Sequence, residues 1–284
     1  MKSYSTLKNL KKNDDFLTNS KFPKKSGGLR TKGWVKYNDI DNKSPLFSII
    51  TVTYNSSQFI ERCIKSVLNQ TYQNIEYIII DGNSNDRTLT IIKYYQEYLD
   101  LWISEKDEGI YDAINKGIEH SNGFILMLHS DDCLADQNVL ENMAKEIKKN
   151  DEIVFGSVKN YNEIVEWEYP VLTDLVDNAW IRKNPIPHLS VFIYHEIHKK
   201  YLFTEFEKLQ SGNDRLIITK ISRAYPVKYV PIIISLVQLG GDSNDWRSLK
   251  RVFDINRQKI LCSKMLGLFV SSKDIIRLYL TSII

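Results

Sequence analysis

Apolar positions along this chain fall into runs of two kinds, and the two kinds alternate. Residues 47–53 (FSIITVT) and 75–80 (IEYIII) are rich in β-branched side chains and nearly continuous in hydrophobicity, as expected of strands covered on both faces in a parallel sheet. Between them Phe59, Ile60, Cys63, Ile64, Val67 and Leu68 recur at helical spacing through Gln70, with Ser56 and Ser57 as candidate caps. The second run ends in the turn-rich Asp81-Gly82-Asn83-Ser84-Asn85-Asp86, so the segment reads as a βαβ unit. The pattern then predicts a helix over 88–98, a short strand over 101–104, a helix over 110–120 and a further apolar run over 124–128. That run stops abruptly at His129-Ser130-Asp131-Asp132. In an open α/β sheet ligands bind beyond the carboxyl ends of the strands, so the acidic groups at Asp81 and Asp131 lie where chemistry is expected.

Past a helix reaching Lys149, strands are expected over 153–159 and 164–169, a rigid loop at Asn184-Pro185-Ile186-Pro187-His188, and a helix over 214–222. The stretch 227–239 runs into Gly240-Gly241-Asp242-Ser243-Asn244, a loop able to bring backbone amides close to a ligand. In the last forty residues, apolar pairs such as Ile260 and Leu261, Met265 and Leu266, and Phe269 and Val270 stand at helical spacing among lysines and arginines. A packing helix with a wet face and a helix lying on a membrane surface both fit that pattern. No internal repeat is present, and one large α/β domain is the simplest reading, with residues 1–44 as a basic N-terminal extension and 245–284 as a C-terminal helical tail.

Composition narrows the classes. The 284 residues are 43% hydrophobic and 26% charged, which is ordinary for a globular protein with a sizeable core. A net charge of +3 argues against a polyanion binder, and the basic residues lack interleaved aromatics, so no nucleic acid is expected as partner. Lysines and arginines do crowd the first 36 residues (Lys8, Lys11, Lys12, Lys21, Lys24, Lys25, Arg30, Lys32), which suits either a solvated arm or peripheral contact with an inner membrane surface. Cys63, Cys133 and Cys262 are isolated, as in a reducing compartment. With no secretory signal and no apolar run long enough to span a bilayer, the expected location is cytoplasmic.

Adjacent carboxylates at a strand end repel one another unless a cation or hydrogen-bond donors compensate. Asp131 and Asp132 are therefore candidate ligands for a hard divalent cation, Mn²⁺ or Mg²⁺, that leaves positions open for phosphate oxygens. A turn in which Asp132 or Asp136 caps the next helix is the other reading of the pair. Asp81 ends its strand where a carboxylate can accept hydrogen bonds from a base or ribose, and Tyr54 ends the first strand where a ring can stack; each is also an ordinary structural residue in such a place. Convergence favours function, because three strand ends deliver an aromatic, a carboxylate and a carboxylate pair to one rim.

Residues 45 to about 145 resemble the family 2 glycosyltransferases throughout, in 45–92 (PLFSIITVTYNSSQFIERCIKSVLNQTYQNIEYIIIDGNSNDRTLTII) and then 104–132 (SEKDEGIYDAINKGIEHSNGFILMLHSDD). A stretch GGLRTKG (27–33) and a later PIPH (185–188) resemble bacterial enzymes of surface-polysaccharide or O-antigen-type assembly. The resemblance implies a GT-A fold, a nucleotide-sugar donor that is usually a UDP-sugar, a glycan or lipid-linked glycan acceptor, and a divalent ion held by a motif of Asp-x-Asp type. Here that motif is His129-Ser130-Asp131-Asp132, with a histidine at its first acidic position, which leaves open which aspartate is the direct ligand. By the same likeness Tyr54 and Asp81 hold the base, and Asp112 and Asn115 lie on a helix lining the donor site, where a helix cap and a surface amide are the other readings. His188 is placed to touch the donor phosphates or the metal through its imidazole, with a satisfied histidine beside two prolines as the other reading. The general base of an inverting transfer is expected in the second half, where Ser211-Gly212-Asn213-Asp214-Arg215 precedes a helix, so Asp214 is the candidate, with helix capping as its alternative. On this reading 45–145 is the nucleotide-sugar-binding half and 146–244 the acceptor half. A sugar nucleotidyltransferase would call for a Gly-rich phosphate loop after the first strand, where Tyr54-Asn55-Ser56-Ser57 stands instead; a non-catalytic nucleotide-sugar binder is the remaining alternative.

Overall fold

A computed structural model describes residues 10–13, 22–23, 25–36, 44–161, 166–203 and 213–238. The 240–244 loop and the 245–284 tail lie outside them, as does most of the basic extension. In chain order the strands are β1 (Leu10–Lys12), β2 (Ser26–Gly27), β3 (Trp34–Lys36), β4 (Phe47–Thr53), β5 (Ile75–Asp81), β6 (Leu101–Ser104), β7 (Phe124–Met127), β8 (Cys133–Leu134), β9 (Ile153–Tyr161), β10 (Glu166–Tyr169), β11 (Val191–Tyr194) and β12 (Lys228–Gln238). The α-helices are α1 (Ile60–Leu68), α2 (Thr88–Tyr95), α3 (Ile110–Glu119), α4 (Val139–Glu146), α5 (Asn178–Lys183), α6 (His195–His198) and α7 (Asn213–Ala224).

One main sheet runs β2-β6-β5-β4-β7-β11-β9-β12-β8, with β10 paired to β9. Its centre, β6-β5-β4-β7, is parallel. Every residue of β4 is buried, because both faces of the strand are covered. Phe47 and Ile49 face a core built on α1, α2 and α4, whereas Ile50 and Val52 face a second core built on α3, α5, α6 and α7. The period-two alternation of a strand thus feeds two separate apolar layers. The register sets Thr53, Asp81 and Ser104 side by side at the carboxyl ends of β4, β5 and β6.

Three features depart from the sequence reading. Residues 25–36, expected to belong to the extension, complete the sheet: β2 pairs antiparallel with β6, and Arg30 is buried in an ion pair with Glu76 at the opposite end of the strands from the acidic rim. Ser56 and Ser57 do not cap α1 through their hydroxyls; the Ser56 carbonyl accepts the Phe59 and Ile60 N–H groups instead. Finally, the segment 191–194 is a strand, β11, inserted antiparallel between β7 and β9, so the two halves of the chain share one continuous sheet.

Candidate active site

The rim formed by the carboxyl ends of β4, β5 and β7 gathers most of the candidate residues. Tyr54 follows β4 directly and is 61% exposed. Its ring lies beside Gly82, where an added Cβ would stand 3.4 Å from Tyr54 Cδ2 and 2.6 Å from Asp107 Oδ2. The lack of a side chain at Gly82 keeps this end of the rim open. Asp81, with no exposed surface, accepts hydrogen bonds from Ser104 Oγ (2.7 Å) and from the hydroxyl and N–H of Ser84. It holds together the turn that carries Gly82, and Ser84 Oγ in turn accepts the N–H of Asn55, next to Tyr54, at 2.8 Å. Asp107 was not singled out from the sequence; burial raises its pKa, and its Oδ1 accepts the Gly109 N–H at 3.0 Å. It lies three residues past Ser104, the end of β6, and that position was the available signal.

Asp131 and Asp132 form the corner after β7. Asp132 is only 3% exposed; its N–H donates to the His129 carbonyl at 3.0 Å and its Oδ1 accepts the Gln238 N–H at 3.1 Å. Burial, then the neighbouring Asp131 charge, push its pKa up to about 7. A buried carboxyl short of compensating charge, beside a second carboxyl, is a donor set suited to a hard cation whose other positions are filled by water and phosphate oxygens. Among the described residues no group of three or more His, Cys, Asp or Glu side chains forms an all-protein cage. A two-carboxylate set is the kind that Mg²⁺ or Mn²⁺ accepts together with a diphosphate. Ser130 Oγ donates to Ser56 Oγ at 2.9 Å and ties this corner to the end of β4.

Beside the corner runs a chain of side chains that the sequence did not reveal. His129 Nε2 lies 3.1 Å from His188 Nε2, and His188 Nδ1 lies 2.8 Å from Asp214 Oδ2. The Tyr111 hydroxyl completes it with a bond to Asp214 Oδ1 at 3.4 Å. Burial holds His129 down to about 4, and the charge of His188 adds to the effect. For His188, burial opposes the charged ring, but the charge and hydrogen bond of Asp214 outweigh it and the pKa rises above the ordinary value. Burial would raise Asp214, yet His188, Arg215 and His129 together hold it well below the usual carboxylate range. His188 and Asp214 therefore sit as a neutralised pair 26 positions apart in sequence, brought together because the Pro185–Pro187 loop and the start of α7 meet at the rim.

The two α3 residues are engaged locally. Asp112 Oδ2 accepts the Glu108 N–H at 3.1 Å and pairs with Lys116 at 3.1 Å, which closes the first turn of the helix. Asn115 is not a surface amide: its Oδ1 accepts the Phe203 N–H at 2.9 Å, and the Phe203 ring stacks on Tyr111 with centroids 5.3 Å apart. Arg62, also unremarked in the sequence, donates to the Asp131 carbonyl (2.6 Å), Gln238 Oε1 (2.7 Å) and the Tyr161 hydroxyl (2.9 Å). Helices that follow parallel strands start at this rim, so a charged residue in the first turn of α1 was a legible candidate.

A parallel-centred sheet with an acidic corner after its β7 strand is the architecture of the GT-A glycosyltransferases, and solved members of that class superpose on this chain. TarS residues 1–349 from S. aureus, in complex with UDP-GlcNAc, matches with a TM-score of 0.63 at 17% identity, over 84% of this chain and 71% of that one. The mannosyltransferase PcManGT from Pyrobaculum calidifontis, in complex with GDP-Man and Mn²⁺, matches with a TM-score of 0.62 at 15% identity, over 84% and 74%. The chain belongs to Glycosyl transferase family 2, whose model matches residues 48–206.

Among curated relatives, an uncharacterised glycosyltransferase of Mycobacterium tuberculosis is 38% identical over 99 residues, 34% of this chain and 38% of the relative. A PGL/p-HBAD biosynthesis glycosyltransferase of Mycobacterium bovis is 32% identical over 121 residues, 40% and 47% respectively. An uncharacterised glycosyltransferase of Haemophilus influenzae is 29% identical over 162 residues, 54% and 50%. The matched region spans half or less of the length of these relatives. No helix among the described residues is long and apolar enough to cross a membrane.

Proposed function

We propose that this chain transfers a sugar from a nucleoside diphosphate sugar, a UDP-sugar by preference, to a hydroxyl of a glycan or lipid-linked glycan, with inversion at the anomeric carbon. The observation that carries the reading is the meeting, at one rim, of the buried Asp132 beside Asp131 with the His129–His188–Asp214 chain. An electrophile bound as a diphosphate needs charge compensation on one side and a proton acceptor on the other; a cation on Asp131 and Asp132 would supply the first and the His188–Asp214 pair the second.

In this mechanism the Tyr54 ring stacks on the base, in the space left by Gly82 and bounded by Asp107. Asp81 acts by fixing the turn that carries this end of the site, since its own oxygens are taken by Ser84 and Ser104. Asp131 and Asp132 hold a divalent cation, Mn²⁺ or Mg²⁺, which when bound offsets the negative charge on the diphosphate. His188, in the neutral form it takes above its raised pKa, accepts the hydroxyl proton as the oxygen attacks the anomeric carbon, and the Asp214 carboxylate at its Nδ1 stabilises the imidazolium that forms. The bond to the diphosphate breaks, and its electron pair leaves with the nucleoside diphosphate. Asp112 and Asn115 shape the site indirectly, Asp112 by ordering the start of α3 and Asn115 by holding Phe203 under Tyr111.

A thermal-shift panel of nucleoside diphosphates and their sugars, with and without Mn²⁺, tests the donor site, because a ligand that binds only the folded protein raises its stability by mass action. A manganese-dependent shift with UDP or a UDP-sugar that disappears in Asp132→Asn is the expected result. Absence of a shift with every nucleotide, in a protein that is folded by circular dichroism, rules the donor site out. With a donor identified, Asp214→Asn should slow transfer by about 10²- to 10⁴-fold, the usual worth of a positioned acid or base. Near-normal transfer would remove Asp214 from the mechanism.

A further inference from the structure

We infer that Arg62 is the positioning residue of the Asp131–Asp132 corner: by fastening the Asp131 carbonyl to the ends of β9 and β12, it sets the corner's affinity for a divalent cation while touching neither cation nor donor. The inference rests on the assignment of Asp131 and Asp132 as the cation's ligands.

Three acceptors on one guanidinium come from three separate parts of the chain. Nη2 donates to the Asp131 carbonyl at 2.6 Å and to Gln238 Oε1 at 2.7 Å, and Nη1 donates to the Tyr161 hydroxyl at 2.9 Å. Tyr161 and Gln238 are the last residues of β9 and β12 and are register partners in the sheet. The backbone N–H of Gln238 in turn donates to Asp132 Oδ1 at 3.1 Å. The links close into a ring: Asp132 to Gln238, Gln238 to Arg62, Arg62 to the Asp131 carbonyl, and so back to Asp132 through one peptide bond.

That peptide joins the two candidate ligands. Turning its carbonyl moves both side chains relative to each other, and the corner lies in the four-residue gap, His129 to Asp132, between the end of the apolar run at Leu128 and the short strand β8. With Arg62 in place the Asp131 carbonyl is aimed at the guanidinium while Asp132 Oδ1 is held by the Gln238 N–H, so both ends of the corner are anchored to β12. A planar guanidinium can serve acceptors in three directions at once, which a single lysine ammonium cannot reproduce with the same geometry. Groups that orient metal ligands from behind commonly matter nearly as much as the ligands themselves. Arg62 is itself exposed, and exposed interactions of this kind contribute little to folding, so a merely structural role predicts no change in cation affinity.

The experiment is a manganese titration of the full chain followed by thermal shift at a fixed concentration of UDP, for the parent and for Arg62→Ala, Arg62→Lys and Gln238→Ala. In Arg62→Ala the half-saturating Mn²⁺ concentration should rise by about ten-fold or more, and in Arg62→Lys by a smaller factor. The melting temperature without ligand, and any UDP shift in EDTA, should stay as in the parent. An unchanged half-saturation in Arg62→Ala overturns the inference. So does an equal loss of UDP binding in EDTA, which would make Arg62 a donor contact. Should Arg62→Ala fail to fold, Gln238→Ala decides: it removes one acceptor and keeps the backbone bond, and it must raise the half-saturation as well. If the parent itself shows no manganese-dependent shift, the cation site falls and the role of Arg62 with it, an outcome distinct from a parent that responds and a variant that responds equally.

Discussion

His188 and Asp214 show how burial and pairing set the state of single side chains at this rim. Either group alone would be driven toward its neutral form by burial. Together they are held in the charged form, His188 above its ordinary value and Asp214 well below its own. The histidine's contribution to stability is complete below about pH 6.5 and is lost as pH rises through its raised value; the aspartate's is present above about pH 3.9 and is lost as pH falls through its depressed value. The pair therefore stabilises the fold most across the mildly acidic range. In Asp214→Asn the desolvation of His188 and the charge of Arg215 are opposed only by the charge of Asp132, so its titration should move from above about 6.5 to below it, as read from the ring-proton shifts in an NMR titration. A His188 resonance that titrates unchanged in this variant would mean that the 2.8 Å contact does not persist in solution. Nothing in the local sequence announces this pair, because residues 26 apart are brought into contact only by the way β11 and α7 return to the rim.

Among the elements, those with strong periodicity were legible and those defined by a partner were not. The runs at 47–53, 75–80 and 101–104 carry their own signal and form β4, β5 and β6 within a residue of the expected bounds. By contrast β2 is two residues long and exists because β6 has a free edge, and β11 is an apolar tetrapeptide whose slot between β7 and β9 is a property of the sheet. Arg30 tells the same story: within a basic stretch it reads as a solvated charge, yet its guanidinium lies buried against Glu76. Glu76 in turn accepts from Ser48 Oγ (2.7 Å) and from the side chain of Asn122 (2.9 Å), so the 25–36 segment is fastened beneath three strands. Arg30→Ala leaves a buried carboxylate without its cation and should destabilise the protein by about 3–5 kcal/mol, measured by urea denaturation; a loss under about 1 kcal/mol would be the behaviour of an exposed pair. On the other face α3 lies so close to β4 that a Cβ on Gly117 would stand 2.4 Å from Ile50 Cγ2. Gly117→Ala should therefore cost about 1–3 kcal/mol by overpacking. Because Tyr111, Asp112 and Asn115 ride on the same helix, the variant should also weaken nucleotide binding, a joint effect that a purely local clash would not produce.

At the scale of the whole molecule, the division into a donor half and an acceptor half is a division of sequence that the sheet ignores. The candidate site was legible where it depends on strand ends, at Tyr54, Asp81, Asp131 and Asp132, since each stops an apolar run. It was illegible where it depends on closure of the sheet: the Asp132 carboxylate meets Gln238 and Arg62 meets Tyr161 because β9 and β12 run parallel beside each other and end at the same rim. The boundary at residue 145 falls in the last turn of α4, and β11, from far beyond it, pairs directly with β7 from before it. Both apolar layers also cross the boundary: Leu126 packs in one cluster with Val154 and Phe192, and Ile125 in the other with Phe155 and Ile193. Separating the halves would expose two cores and the unpaired edges of β7 and β11, so neither half is expected to be stable without the other. Urea unfolding should then be a single transition, coincident by tryptophan fluorescence and far-ultraviolet circular dichroism. Trp102 reports on the first half from β6, and Trp167 and Trp180 report on the second from β10 and α5. A Trp34→Phe/Trp102→Phe variant, which keeps only tryptophans beyond residue 145, should give the same midpoint by fluorescence as by its own circular dichroism. Two separated midpoints would mean that pairing of β11 with β7 is weaker than the pairing within each half, and that the two halves fold as independent units.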